Sequence, residues 1–103
     1  MGTAAAGSPS ANPNPASVDP ANWATEDTLW LACGASDHGN TTYTGWPTGY
    51  TNTSAQESGG AGGAALGTAR KEAAAASEDA GTFTTDVSED WYAAVVAIRP
   101  SAT

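Results

Sequence analysis

Cysteine, histidine and basic residues are nearly absent from this 103-residue sequence. The single cysteine, Cys33, cannot form a disulfide within the chain, and its strand-like surroundings predict a small buried residue. One His and one Cys are too few for a zinc site. Three basic residues against eleven acidic ones give a net charge of −8. This balance argues against nucleic-acid binding, because phosphate neutralisation requires Lys and Arg.

Large aliphatic side chains and long apolar runs are also scarce. Leu, Ile, Val and Phe together number nine, and more than half of the 40% hydrophobic fraction is Ala. The sequence has no run of 18 apolar residues and no basic stretch followed by an apolar segment, so neither a membrane span nor a secretory signal is expected. Burying alanine contributes little free energy. We therefore expect a thin core that neighbouring subunits help to stabilise.

Strand-like segments dominate what is present. Residues 1–22 are predicted to form an extended arm, because three prolines within 13–20 remove amide donors and favour extended backbone. The body, residues 23–103, contains β-prone runs at 28–36, 50–54, 81–85 and 91–98. Composition alone does not decide whether the Ala-rich stretch 64–76 is a helix or a strand. Propensity favours a helix, whereas a strand would place Leu66, Arg70 and Glu72 on one face and Lys71 on the other.

Each isolated chemical candidate is outweighed by a structural interpretation. His38 lies in a turn-like sequence, whereas the members of a catalytic triad come from separate parts of a chain. The acidic pairs 26–27, 78–79 and 89–90 precede β-prone runs, which is typical of solvated strand ends, with calcium binding as the alternative. The glycine-rich run 60–65 lacks the hydrophobic strand that precedes a dinucleotide site. We predict no catalytic residue, no cofactor and no metal, and therefore no enzyme.

The aromatic residues are the strongest remaining signal. Those near apolar runs are predicted to serve the core or an interface, together with large aliphatic neighbours: Trp23, Leu29, Trp30, Leu31, Trp91 and Val95. Trp46 lies within the turn-rich stretch 37–49 and Tyr50 follows it, and the two form a candidate platform for stacking on a sugar ring. For Trp46, packing is the favoured role over ligand binding.

Several segments of the chain occur in an order that is specific as a set. They are Asn12–Pro15, Trp23-Ala24 with Asp27–Ala32, Trp46–Asn52, Ala69–Glu72 with Ala75–Asp79 and Gly81–Thr84, and Trp91–Pro100. This set resembles the C-terminal half of a family of tailed-phage virion structural proteins. The resemblance implies an all-β fold, an antiparallel jelly-roll-like β-sandwich, in which 64–76 is a strand. It also implies that another chain or further copies complete the sandwich, and it transfers no catalytic residue.

These observations lead to the expectation of a non-enzymatic virion structural protein, most specifically a capsid decoration (cement) protein that is assembled in the host cytoplasm. The expected partners are the major capsid protein or other virion subunits and copies of the chain itself, a trimer by analogy, with no nucleic acid and no membrane. The arm is expected to lie along a neighbouring subunit, with Trp23 and Trp30 as interface anchors. The alternative is a tail- or fibre-associated adhesion module that binds host glycan through Trp46 and Tyr50.

Overall fold

The computed structural model describes residues 4–10 and 12–99, and in that part of the chain all regular structure is β-strand. The strands are β1 (Ala4–Ser10), β2 (Glu26–Ser36), β3 (Tyr43–Gly45), β4 (Thr51–Glu57), β5 (Ala65–Ala75), β6 (Thr84–Thr85) and β7 (Glu89–Ile98). The ends of the predicted arm and body, at 1–3 and 100–103, lie outside the described residues, as does residue 11. None of the described residues forms a helix of the length and hydropathy that crossing a membrane requires.

The strands form a large sheet of five and a small sheet of two. The large sheet has the order β1-β7-β2-β5-β4, and the small sheet pairs β3 with β6. Every pair is antiparallel, so the predicted all-β antiparallel class is confirmed. The central strand is β2, which is apolar at successive positions, as is typical of strands that are covered on both faces.

The Ala-rich stretch 64–76 forms β5, as the resemblance implies and against its helix propensity. This strand pairs with β2 along its whole length, from Ala65 beside Ser36 to Ala75 beside Glu26. On its other side it pairs with β4. Hydrogen bonding and packing on both sides outweigh a propensity of a few tenths of a kilocalorie per residue.

The two faces of the large sheet differ in what covers them. We call the side that bears Trp30, Ala69 and Val95 the inner face, and the side that bears Leu31, Thr68 and Val96 the outer face. The small sheet and its connecting loops cover the inner face. The largest fully buried side chains are Trp30, Phe83, Val18, Val95, Thr28, Thr41, Pro13 and Pro15.

A close contact between the two layers depends on paired glycines. Gly34 of β2 and Gly67 of β5 are register partners, and the ring of Tyr43 from β3 lies over both. Tyr43 also packs edge-on against Phe83, with the ring centroids 5.7 Å apart. Its hydroxyl forms a buried hydrogen bond with the Ser36 hydroxyl at 3.0 Å. Without side chains at these two glycines, the small sheet approaches the large one closely.

The segment predicted as an arm is part of the chain's own fold. Ala4–Ser10 pairs with β7 at one edge of the large sheet. Further along, the carbonyl of the buried Pro13 accepts the Phe83 amide at 2.8 Å. Val18 is 1% exposed, and its amide and carbonyl both bond to the main chain of Glu78. The described residues of the segment therefore contact this chain's own sheet and core.

Candidate functional site

The outer face of the large sheet is apolar along β2 and β7 and at Leu66 of the neighbouring β5. Apolar side chains occupy neighbouring register positions on this face: Leu29, Leu31, Cys33, Ala35, Leu66, Tyr92, Ala94, Val96 and Ile98. Tyr92 is 68% exposed, Ile98 47% and Leu66 45%. A sheet face in contact with water normally carries polar side chains instead.

A contiguous apolar surface of this kind is characteristic of a protein–protein contact. The continuous apolar runs at 28–36 and 91–98 carried this signal in the sequence, because a strand with one solvated face would alternate apolar and polar residues. Within the described residues, the covering of the two faces is unequal: the inner face has a second layer, and the outer face has none.

Two shallow hollows lie on the outer face around Cys33. One has a volume of about 150 Å³ and lies between Tyr92 and Leu66, above Ala35 and Ala94. The other, of about 310 Å³, is lined by Leu31, Cys33, Asn52, Thr68, Ala69 and Arg70. Both are open to solvent and mainly apolar. Their shape suits projecting side chains of a partner better than an enclosed small molecule, which requires a deep pocket.

Cys33 lies in the middle of this face and is partly buried, so the prediction of a buried residue is wrong. Alternation along β2 turns it to the side opposite Trp30. Burial raises the pKa of its thiol, so the thiolate that would react as a nucleophile is disfavoured.

The residues predicted for the core or an interface lie on different faces of the large sheet. Leu29 and Leu31 lie on the outer face and are half-buried. Trp30 and Val95 are fully buried on the inner face, and Trp91 lies on that same side. Trp30 is therefore not an interface anchor, since its ring is enclosed by the chain's own core.

Trp23 is held at one end of the core. Its ring centroid lies 6.5 Å from that of Trp30, and its Nε1 donates to the Thr28 hydroxyl at 3.3 Å. The Arg99 guanidinium lies 4.9 Å from the Trp23 ring, and its Nη2 is 2.6 Å from Glu26 Oε1. Arg99 thus lies over the Trp23 ring, which stays partly exposed.

The predicted sugar-stacking platform does not form. Tyr50 is only 7% exposed and belongs to the core cluster, and Trp46 packs against the same cluster. The Trp46 Nε1 is buried and donates to no acceptor among the described residues. A ring that stacks on a sugar has to present a face to solvent. The alternative role of Trp46, packing, agrees with its position.

Tyr50 instead takes part in a partly buried polar cluster that the sequence analysis missed. Its hydroxyl donates to Glu78 Oε2 at 2.9 Å, and Lys71 Nζ lies 3.0 Å from the same oxygen. The Glu78 side chain is only 10% exposed, so the prediction of a solvated strand end is wrong for this residue. The available signal was Lys71, whose alternation places a charge on the inner face and therefore demands a partner.

Because of this cluster, we expect the protein to lose stability at alkaline pH. Burial, followed by the hydrogen bond to Glu78 and its charge, raises the pKa of Tyr50 above its ordinary value of 10.0. Its contribution is therefore complete below about pH 10 and is lost at higher pH, where the unfolded tyrosine ionises and the folded one resists. We expect the free energy of unfolding of the wild type to fall above pH 10. In Tyr50→Phe it should fall less steeply, and the two proteins should differ by up to about 1.4 kcal/mol per pH unit. Urea unfolding of the wild type and of Tyr50→Phe at pH 8 and pH 11 measures these free energies. An equal loss of unfolding free energy between the two pH values in both proteins would contradict the prediction.

The remaining candidates from the sequence, His38 and the glycine-rich run 60–65, lie in hydrogen-bonded turns. His38 Nδ1 accepts the Asn40 amide at 3.1 Å in the turn after β2. The Gly59 amide donates to the Gly39 carbonyl, and the Gly39 amide to the Gly60 carbonyl, so the glycine-rich loop closes on this turn. No group of three or more His, Cys, Asp or Glu side chains among the described residues could hold a metal ion.

A scan of protein-family models, a search of curated proteins and a search of solved structures each returned no match to this chain.

Proposed function

We propose that this chain is a non-enzymatic structural protein of a tailed-phage virion, and more specifically a capsid decoration protein that stabilises the shell. The observation that carries the proposal is the uncovered apolar outer face, because soluble proteins rarely leave such a surface without a partner. The sequence resemblance to tailed-phage virion structural proteins supports this setting, in which the partner would be the major capsid protein or another virion subunit.

In this role the outer face packs against the shell and excludes water from the joint. The large sheet and the small sheet would be the two layers of a jelly-roll-like sandwich, with the partner chain completing the uncovered side. Assembly would take place in the host cytoplasm, and three copies around a threefold position is the arrangement expected by analogy. The burial of Tyr50 leaves the glycan-binding alternative without its platform.

The number of copies of this chain in each particle tests the proposal. Quantitative mass spectrometry of purified phage particles would measure this chain against the major capsid protein. We expect hundreds of copies per particle, as a lattice component requires. A few copies to a few tens would instead assign the chain to the tail or a fibre, and its absence from particles would refute a virion role.

A matched pair of variants tests the face itself. Val96 lies on the outer face and is 36% exposed, whereas Val87 lies in the turn before β7 and is 39% exposed. Val96→Asp would place a charge within the joint, and we expect it to abolish binding to shells that lack the chain. Val87→Asp should bind as the wild-type chain does. Equal binding by both variants, with unchanged far-UV circular dichroism, would show that the outer face is not the contact.

A further inference from the structure

The margins of the outer face carry more negative than positive charges. Asp27 precedes Leu29 at one end of β2, and Asp90 precedes Tyr92 at the opposite end of the face; both are exposed. At the β5 side, Glu72 lies beside Arg70, with Nη2 3.9 Å from Oε1. Three carboxylates thus surround the apolar rows against one guanidinium, which is itself paired.

The other two basic side chains of the described residues are engaged elsewhere. Lys71 points to the inner side and pairs with Glu78 at 3.0 Å. Arg99 pairs with Glu26 and stacks on Trp23. Neither is therefore available to neutralise Asp27 or Asp90 at the ends of the face.

This charge distribution distinguishes between two occupants of the face. A second copy of the chain would bring the same three carboxylates to the margins, and two chains of net charge −8 would repel each other. A partner with Lys or Arg at the corresponding positions would gain attraction at both ends. Like-charge contacts disfavour a wrong partner, and specific interfaces combine them with attractive contacts to the right one.

The hollows indicate what lies between the charged ends. The hollow between Tyr92 and Leu66 has a volume of about 150 Å³, is lined by apolar side chains and is open to solvent. One aromatic or aliphatic side chain projecting from the partner would therefore fill it. Ten residues of extended strand separate the two ends of the face, which corresponds to about 30 Å.

We propose that the outer face receives a protein surface with an apolar centre and with Lys or Arg side chains at two ends about 30 Å apart. This inference rests on the proposed function and specifies the chemistry of the shell surface that the chain contacts. The carboxylates of Asp27 and Asp90 select this surface and orient the chain on it, while the apolar rows between them supply the buried area.

Two double variants of equal net charge test the proposal. Asp27→Lys with Asp90→Lys reverses the charges at both ends of the face. Asp19→Lys with Asp79→Lys makes the same change at two exposed aspartates next to the Val18–Glu78 bridge, outside the outer face. Binding of the full-length variants to purified shells that lack the chain would be measured at low and high salt.

We expect the face variant to bind at least about tenfold more weakly at low salt, with a smaller loss of affinity on adding salt than the wild-type chain. The control variant should stay within about threefold of the wild type. Equal weakening by both variants would show that only net charge matters and would overturn the inference while leaving the proposed function standing. Failure of the wild-type chain to bind shells would overturn both.

Self-association of the isolated chain through the outer face would contradict the inference. If a second copy covers the face, the isolated wild-type chain would be dimeric by light scattering. A short bismaleimide would then join the two Cys33 thiols, since stacked sheets lie about 10 Å apart. Such a cross-linked dimer, lost in Val96→Asp, would overturn the inference. We expect no dimer and no cross-linking through this face.

Discussion

Replacing Trp30 by alanine is expected to destabilise the fold by about 3–5 kcal/mol, a large part of the stability of a domain of this size. Trp30 is fully buried on the inner face, and its Nε1 donates to the Ala73 carbonyl at 3.4 Å. Its register partner on β7 is Ala97, and Ala32 and Ala69 lie further along the same face. These small side chains cannot extend into the space that the indole leaves, so the cavity would persist.

Tyr92→Ala is the matched control for this variant. It also removes a large aromatic ring from the large sheet, but Tyr92 lies on the outer face and is 68% exposed. We expect a change within about 1 kcal/mol, because little area returns to water. Urea unfolding followed by far-UV circular dichroism measures both variants. Similar losses for the two substitutions would mean that the faces are not divided into a core side and a free side.

A single methyl group at Gly67 is expected to destabilise the chain by about 1–3 kcal/mol. A Cβ at this position would lie 2.6 Å from Tyr43 Cδ2 and 2.9 Å from Cγ, well inside van der Waals contact. The ring cannot simply move away, because its hydroxyl is bonded to Ser36 at 3.0 Å and its edge packs on Phe83. Gly67→Ala would therefore separate the two sheets or break the buried hydrogen bond.

Gly62→Ala provides the comparison for Gly67→Ala. A Cβ at Gly62 meets no atom within 4 Å. Both substitutions reduce the freedom of the unfolded chain equally, which favours folding by about 0.4–1 kcal/mol. We expect Gly62→Ala to unfold at the same or a slightly higher urea concentration than the wild type, and Gly67→Ala at a clearly lower one. A Gly67→Ala midpoint equal to that of Gly62→Ala would refute the close contact of Tyr43 with the sheet.

The same small residues relate stability to the proposed role. Glycine and alanine on the inner face let the small sheet and the 12–20 segment lie close to the large sheet, so few large side chains suffice for the core. The larger aliphatic residues that remain, Leu29, Leu31, Leu66, Val96 and Ile98, are placed on the outer face instead. Most of the larger aliphatic side chains of the chain therefore lie on the face that its own small sheet does not cover.

The sequence by itself determined the strand segments around 28–36 and 91–98, because continuous apolar and β-branched runs of that length favour buried strands. It also determined that the acidic pairs 26–27 and 89–90 lie at strand starts, since charges interrupt the apolar runs there. The ordered resemblance, rather than propensity, favoured a strand at 64–76. The two apolar runs and the acidic pairs are local features, so local sequence patterns predict them, whereas local propensity was wrong for 64–76.

Only the tertiary structure decided the remaining features. Burial of Glu78 depends on Lys71 and Tyr50, which lie 7 and 28 residues away in the chain. The return of the 12–20 segment to its own core depends on backbone bonds to Phe83 and Glu78. Which side of β2 would be covered depended on where the small sheet packs. Alternation divides the residues of a strand into two faces, but contacts between distant segments determine which face is enclosed and which stays uncovered.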